Sequence, residues 1–393
     1  MDMKKSSEIY QVDLLKGLAI LSVVVGHIIS YKIPETNPQI ISNINTQFLM
    51  PTLPQITNDL IHSLTNGMFL QIFTHWITYS ALFPQQVVPL FIIIMSFTTS
   101  LSFSRKGYRK VEDFFQRNQI KTKIRRFFVP FFIIFSLSFI IGLIIDATNR
   151  QILSLNFRLL MGYLPINGPG NYFIPLIIQM VVFFPLIYFF YRYNRNACLI
   201  TGFVLAFIIE IANQFGTQGI WYEDSLVRFF PHIILGIWIS DLYLEHRLKN
   251  ILLIAFGLLS GLYLIFISQF GSGILFGIQF VPYLASQNLF ASGWTAILLI
   301  LGLIYLPDVK NKFTGPLAIF GKATYHIFLV QIVYFGIFGG YTISNHSLND
   351  LFSVNNVIGM GIPFFMVLLL GVGFYELDKN NFFFGSKFRD DPK

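Results

Sequence analysis

Apolar stretches alternate with short polar segments along the whole chain, and each stretch is long enough to cross a bilayer. A helix of about 20 apolar residues spans the roughly 30 Å hydrocarbon layer. Ten such stretches lie near residues 12–31, 86–104, 127–146, 172–191, 197–214, 229–245, 250–269, 286–306, 323–340 and 356–376. The pattern predicts an all-α fold, a polytopic membrane helical bundle with about ten transmembrane helices.

Composition agrees with this interpretation. Hydrophobic residues make up 54% of the 393 positions and charged residues only 12%, with a mean hydropathy of +0.63. Soluble globular chains carry about twice as much charge. The first stretch is too long for a signal peptide and lacks a small-residue cleavage site, so we expect a retained helix. Since we find neither a fixed-period repeat nor a low-complexity linker, we predict a single domain over residues 1–393.

The distribution of basic residues predicts the orientation. Lys and Arg are retained on the cytoplasmic side of short loops. With a cytoplasmic N-terminus, all of the 27 Lys and Arg residues fall inside except Lys32, Arg150, Arg158 and Arg228. Ten spans then place both termini in the cytoplasm, and we expect the cell (plasma) membrane as the location. The net charge of +8 is explained by the basic residues of the predicted cytoplasmic segments, so it implies no nucleic-acid partner.

A single cysteine, Cys198, excludes an internal disulfide and a Cys-ligated zinc site. We interpret it as a small packing residue. The sequence contains no HExxH, CxxC or GxxxxGK[ST] stretch, so it predicts no metal or P-loop site.

Two long segments separate predicted spans. In the outer segment 32–85, residues 58–83 fit an interfacial or re-entrant helix. The inner segment 105–126 carries nine Lys or Arg residues against two acids. It fits an anchor on anionic membrane lipids, a cradle for a cytoplasmic cosubstrate that bears phosphate groups, or both.

Two ionisable residues stand out in the first span, Lys16 and His27. Eleven helical positions turn through three full turns plus roughly 20°, so both side chains project from one face about 16 Å apart. Asp13, three residues before Lys16, is close enough to pair with it. Lys16 could simply extend to the inner head groups, and His27 could be hydrogen-bonded across the bundle.

An ionisable group as deep as His27 more often marks a pathway or a reactive site. A neutral imidazole is suited to taking a proton from an attacking hydroxyl near neutral pH. The separation from Lys16 suggests a long cosubstrate along the same helix, with its charged end inside and its reactive end at His27. Coenzyme A has that shape.

The first span, VDLLKGLAILSVVVGH, resembles that of the acyltransferase-3 family of integral membrane acyltransferases. Asp13, Lys16, Gly17, Ala19 and His27 match the spacing of its D-x-L-[RK]-G-x-A and Arg-x10-His motifs. Further stretches resemble later family segments: VPLFIIIMSFTTSLSF (88–103), KIRRFFVPFF (123–132), GPGNYFIPLIIQ (168–179), FFPHIILGIW (229–238) and GKATYHIFLVQ (321–331).

The resemblance implies transfer of an acyl group, commonly acetyl, from cytoplasmic acyl-CoA to a carbohydrate hydroxyl. It implies that His27 is a general base or transient acyl carrier and that Lys16 contacts the cosubstrate. It further implies that Lys123 and Arg126, with help from Arg125, meet the nucleotide phosphates.

The sequence departs from the family pattern at several positions. Lysine at 16 and 123 replaces arginine, which keeps the charge but loses the bidentate fork. The second span reads Met95, Ser96, Phe97 where the family has a Ser-to-Gly pattern, and Gln331 stands where the family's ninth span has histidine.

Other polar residues are secondary candidates. Glu210 and Asn213, three apart in the fifth span, could position a sugar hydroxyl or orient His27, or Glu210 could pair with Arg228. The outer cluster 221–224 could stack on sugar rings or belong to an aromatic belt. His326 fits a helix-interface histidine as well as a cosubstrate contact.

Together with this resemblance, the residues predict a membrane O-acyltransferase that uses acyl-CoA as cosubstrate and a cell-surface or lipid-linked carbohydrate as acceptor, with no tightly bound cofactor. Two alternatives remain. In a transporter, Lys16, His27 and Glu210 would line a translocation route, and broken helices in two matching halves would favour it. In a non-catalytic scaffold, His27 would be dispensable.

Overall fold

The computed structural model describes residues 9–32, 87–108, 110–116, 121–149, 159, 161–166, 168–215, 225–270, 289–338 and 354–380. Within these ranges all regular structure is helical. The α-helices are α1 Tyr10–Lys32, α2 Val87–Arg105, α3 Val111–Phe114, α4 Val129–Asn149, α5 Phe173–Tyr193, α6 Arg195–Phe215, α7 Phe230–Leu244, α8 Ile251–Phe270, α9 Phe290–Tyr305, α10 Thr314–Lys322, α11 Thr324–Phe338 and α12 Val354–Lys379. A π-helical segment, Ile124–Phe128, leads into α4.

Every predicted span contains one of these helices. Six helices in the described residues are long and apolar enough to cross a membrane, and α10 with α11 makes a seventh candidate as a bent pair. The apolar parts of α6, α8 and α9 are shorter. The structure thus establishes an all-helical chain with six or seven membrane-capable helices. The number ten and the orientation of the termini stay predictions.

The bent pair differs from the expected ninth span. Residues 314–322, which the polar pattern assigns to a loop, form α10, and α11 follows at an angle of 71°. The Asn311 side chain caps α10 by accepting from the backbone N–H groups of Phe313 and Thr314 at 2.9 and 2.8 Å. At the bend, the Thr324 hydroxyl contacts the last carbonyl oxygens of α10, those of Phe320 and Gly321, at 3.1 and 2.8 Å. These contacts satisfy helix-end groups that would otherwise be left unpaired.

The chain divides into two compact units, neither of which is contiguous in sequence. The first unit comprises Met1–Pro34, Phe115–Ile178 and Pro307–Lys393. The second comprises Glu35–Phe114 and Gln179–Leu306. The prediction of a single domain over 1–393 is not decided by this division.

Glycines bring the helices of the first unit into close contact. A Cβ atom at Gly17 would overlap the carbonyl oxygen of Leu317, and one at Gly321 would overlap that of Asp13. Each of the two helices, α1 and α10, therefore contributes a glycine that lies directly against the backbone of the other. Small residues at such crossings are the usual basis of helix association in membranes, where apolar burial supplies little driving force.

The second unit is organised around the pair α2 and α7. Gly236 lies against the backbone of Ile93 and the side chain of Ser96. The buried hydroxyls of Ser100 and Ser240 share a hydrogen bond between the two helices. Cys198, on α6, is buried, which agrees with the packing role expected for it.

Candidate active site

His27 lies in the last third of α1 and contacts α11. Its Nδ1 atom is 3.1 Å from Nε2 of Gln331. Gln331 is fully buried, whereas the residue His27 is half-buried. The expected hydrogen bond across the helices therefore exists, but it uses only one of the two ring nitrogens. In the described residues, Nε2 of His27 has no hydrogen-bond partner.

The loop before α5 covers a second edge of the imidazole. Gly170 has φ +82°, a conformation that favours glycine, and a Cβ atom there would lie 3.4 Å from Cε1 of His27 and 3.0 Å from the Phe328 ring. A Cβ atom at Gly168 would overlap the carbonyl oxygen of Ile332. The loop thus lies directly on α11, and only glycine fits at its two closest approaches.

Asn171 fixes the shape of this loop. Its side-chain oxygen accepts from the Leu164 N–H at 2.8 Å, and its amide nitrogen donates to the Leu164 carbonyl at 3.0 Å. Asn171 is 3% exposed, so both bonds are shielded from competing water. The imidazole therefore lies between Gln331 and a turn that is tied together by Asn171.

Asp13 and Lys16, in the first half of α1, form a charged cluster with Lys322 at the end of α10. Lys16 Nζ is 3.8 Å from one carboxylate oxygen of Asp13, as the spacing predicts, and Lys322 Nζ is 4.0 Å from the other. Two ammonium groups around one carboxylate leave one net positive charge. The cluster is suited to a negatively charged ligand.

The segment that contains the other predicted basic residues is joined to α11. The Tyr325 hydroxyl donates to the carbonyl oxygen of Phe127 at 3.0 Å, and the two rings pack edge to face. In this segment Arg125 and Arg126 are exposed and Lys123 is partly exposed. Tyr325 follows Lys322 by only three residues, so one short stretch at the bend contacts both the charged cluster and the basic segment.

His326 belongs to a contact between α11 and α12. Its Nε2 atom is 3.0 Å from a carboxylate oxygen of Asp378, and its ring packs edge to face on Phe374 and Tyr375. The structure thus gives it the role of an interface histidine, one of the two roles expected for it.

The structure brings together only some of the predicted site residues. His27 and Lys16 share α1, and Lys123, Arg125 and Arg126 lie in the same unit. Glu210 and Asn213 fall in α6, but their side chains lie outside the described residues, as do residues 58–83 and 221–224.

Three residues of the site were not predicted to take part: Gln331, Lys322 and Gly170. A signal existed for Gln331, because a buried amide in an apolar stretch occupies the position of the family's histidine. Lys322 gave no such signal, since it looked like one more basic residue of an inner loop.

The fold and the site define a membrane protein that holds an imidazole of α1 against α11 and a charged cluster where α1 meets α10. The family model for the acyltransferase-3 acyltransferase domain matches residues 9–376, nearly the whole chain. The protein belongs to this family and is an acyltransferase. No curated protein and no solved structure matches the chain.

Proposed function

We propose that the protein moves an acyl group, acetyl in the first instance, from cytoplasmic acyl-CoA to a hydroxyl of a cell-surface or lipid-linked carbohydrate in the plasma membrane. One observation carries this proposal. Lys16 of the charged cluster and His27 are eleven residues apart on α1, which in an α-helix corresponds to about 16 Å along the axis. A long molecule with an anionic end and a reactive thioester end fits that arrangement.

The cationic end holds the donor. Lys16 and Lys322 contact the anionic part of acyl-CoA, and Lys123, Arg125 and Arg126 add contacts to its phosphates. Lysine meets a phosphate as a point charge, without the bidentate geometry of arginine. The lysines therefore supply charge to the bound donor, and Arg125 and Arg126 can in addition meet its phosphates through paired hydrogen bonds.

The imidazole end carries out the transfer. Nε2 of His27 takes the proton of the acceptor hydroxyl as its oxygen attacks the thioester carbonyl carbon. The tetrahedral intermediate then collapses and its carbon–sulfur bond breaks. The leaving thiolate takes the proton from the imidazolium, so the products are an O-acyl ester and coenzyme A, with His27 neutral again.

Purified protein in detergent, supplied with radiolabelled acetyl-CoA and glycan acceptors, tests the proposal. We expect label in the glycan without any sealed compartment. The variant His27→Ala should lower the initial rate by about 10² to 10⁴-fold, the usual effect of losing a general base. Mass spectrometry of surface glycans from cells with either form gives the same comparison in vivo.

The control variant is His246→Ala, at an exposed position after α7 in the second unit. It removes an imidazole of the same size outside the site and should keep the wild-type rate. Transfer that survives His27→Ala contradicts the proposal. Flux of a solute into vesicles without any glycan labelling would instead support a transporter.

A further inference from the structure

Gln331 makes the one side-chain hydrogen bond that the structure gives to His27 in the described residues. The amide lies on α11, is fully buried, and reaches Nδ1 at 3.1 Å. Gly170 lies on the side of Cε1, where a Cβ atom would come within 3.4 Å of the ring. Of these two neighbours, only Gln331 acts on a ring nitrogen.

A neutral imidazole carries one proton, on either Nδ1 or Nε2. The partner of one nitrogen decides which form is present. An acceptor next to Nδ1 keeps the proton there and leaves Nε2 with a free lone pair. A donor next to Nδ1 has the opposite result, because Nε2 then holds the proton and has no capacity to accept another.

The Gln331 amide offers both possibilities, because its oxygen and nitrogen occupy equivalent places. As placed, the nitrogen faces Nδ1, and Oε1 is buried without a hydrogen-bond partner in the described residues. Rotation of the amide by half a turn supplies Oε1 with the Nδ1 proton and leaves the nitrogen unpartnered instead. Each orientation leaves one end of the amide without a hydrogen-bond partner in the described residues. The two orientations therefore differ in which ring nitrogen of His27 is free to accept a proton during the reaction.

We propose that Gln331 is a positioning residue whose side-chain oxygen accepts the Nδ1 proton of His27, so that Nε2 is the basic atom during acyl transfer. This inference rests on the proposed function, since it needs His27 to act as a base. It assigns to an amide the orienting task that a carboxylate performs in other histidine-dependent enzymes. Gln331 itself touches neither substrate.

Two substitutions distinguish whether the side chain at position 331 must accept a hydrogen bond from Nδ1 of His27 or donate one to it. Gln331→Glu keeps the size of the side chain and, when the carboxyl is ionised, leaves a group that only accepts. Gln331→Leu keeps the approximate size and removes both capacities.

Gln179→Glu is the matched control, because Gln179 also lies in a membrane-capable helix and its Oε1 accepts from the Leu226 N–H at 2.9 Å. A carboxylate there keeps that acceptor and adds the same charge to a residue of the second unit. All variants are full-length and purified in detergent.

We expect Gln331→Leu to lower kcat by at least about 10-fold with an unchanged KM for acetyl-CoA, as for loss of an orienting partner of histidine. Gln331→Glu should be clearly more active than Gln331→Leu. Its pH–rate profile should have its acidic limb at higher pH than that of the wild type, because a carboxylate stabilises the imidazolium form. Gln179→Glu should keep the wild-type profile.

The proposal is overturned if Gln331→Glu is as inactive as Gln331→Leu, since a donating amide would then be required. It is also overturned if Gln331→Leu keeps the wild-type kcat and pH profile. Should Gln331→Leu fail to fold, Gln331→Met replaces it with a more adaptable apolar chain. Activity that survives His27→Ala would contradict the proposed function, whereas loss in His27→Ala with no effect at Gln331 would contradict this inference alone.

Discussion

The Asp13 carboxylate determines how the two lysines of the charged cluster can act. Without it, the ammonium groups of Lys16 and Lys322 would repel each other across the contact between α1 and α10. With Asp13 between them at 3.8 and 4.0 Å, both stay near one point. These distances are long for ion pairs, so an anionic ligand can compete for the lysines while Asp13 keeps them in place.

Loss of either lysine should weaken donor binding more than the chemical step. We expect Lys16→Ala and Lys322→Ala each to raise the KM for acetyl-CoA about 10-fold, in line with a lost hydrogen bond between charged groups. Initial rates against acetyl-CoA concentration measure this effect. Lys379→Ala is the control, because Lys379 is exposed and pairs with Glu376 at 3.2 Å on α12. An unchanged KM in both cluster variants would remove these lysines from the donor site.

Residue spacing predicted one half of this cluster and missed the other. Asp13 and Lys16 are three apart on one helix, so their contact follows from helical geometry alone. Lys322 and Gln331 are about 300 residues further along the chain, and their contacts depend on how α10 and α11 pack against α1. Local periodicity contains no information about such a distant partner.

At the scale of the helices, the close approach of α1 and α10 holds the cluster together. Apolar periodicity predicted the long helices well, because a membrane-crossing helix needs little beyond length and hydrophobicity. It missed α10, whose nine residues include two glycines, a proline and a lysine and therefore resemble a loop. Two features outside its apolar pattern support α10: the hydrogen bonds from Phe313 and Thr314 to the Asn311 side chain, and the contact with α1.

Gly321→Ala tests this contact. The added Cβ atom would overlap the Asp13 carbonyl oxygen, so α1 and α10 must separate. We expect a loss of about 1–3 kcal/mol in stability, as for overpacking elsewhere, together with a raised KM for acetyl-CoA. Thermal unfolding in detergent measures the first effect. Gly373→Ala, at an exposed position of α12 with open space around it, should be neutral or slightly stabilising.

At the scale of the whole molecule, orientation is the main untested prediction. Because Cys198 is the single native cysteine and is buried, the chain suits cysteine labelling on intact cells. In a Cys198→Ala background, Asp224→Cys in the predicted outer loop should react with a membrane-impermeant maleimide. Lys312→Cys, before α10, should react only after permeabilisation. The opposite pattern would invert the predicted topology and place the charged cluster on the outer side.

His27 and Gln331 come from distant parts of the chain, and this has a consequence for biosynthesis. His27 and Gln331 are 304 residues apart, so at 5–20 residues per second the ribosome adds the second about 15–60 s after the first. During that interval α1 is already synthesised, but its His27 imidazole cannot yet form the hydrogen bond to Gln331. A polypeptide that ends before α11 contains His27 but lacks Gln331.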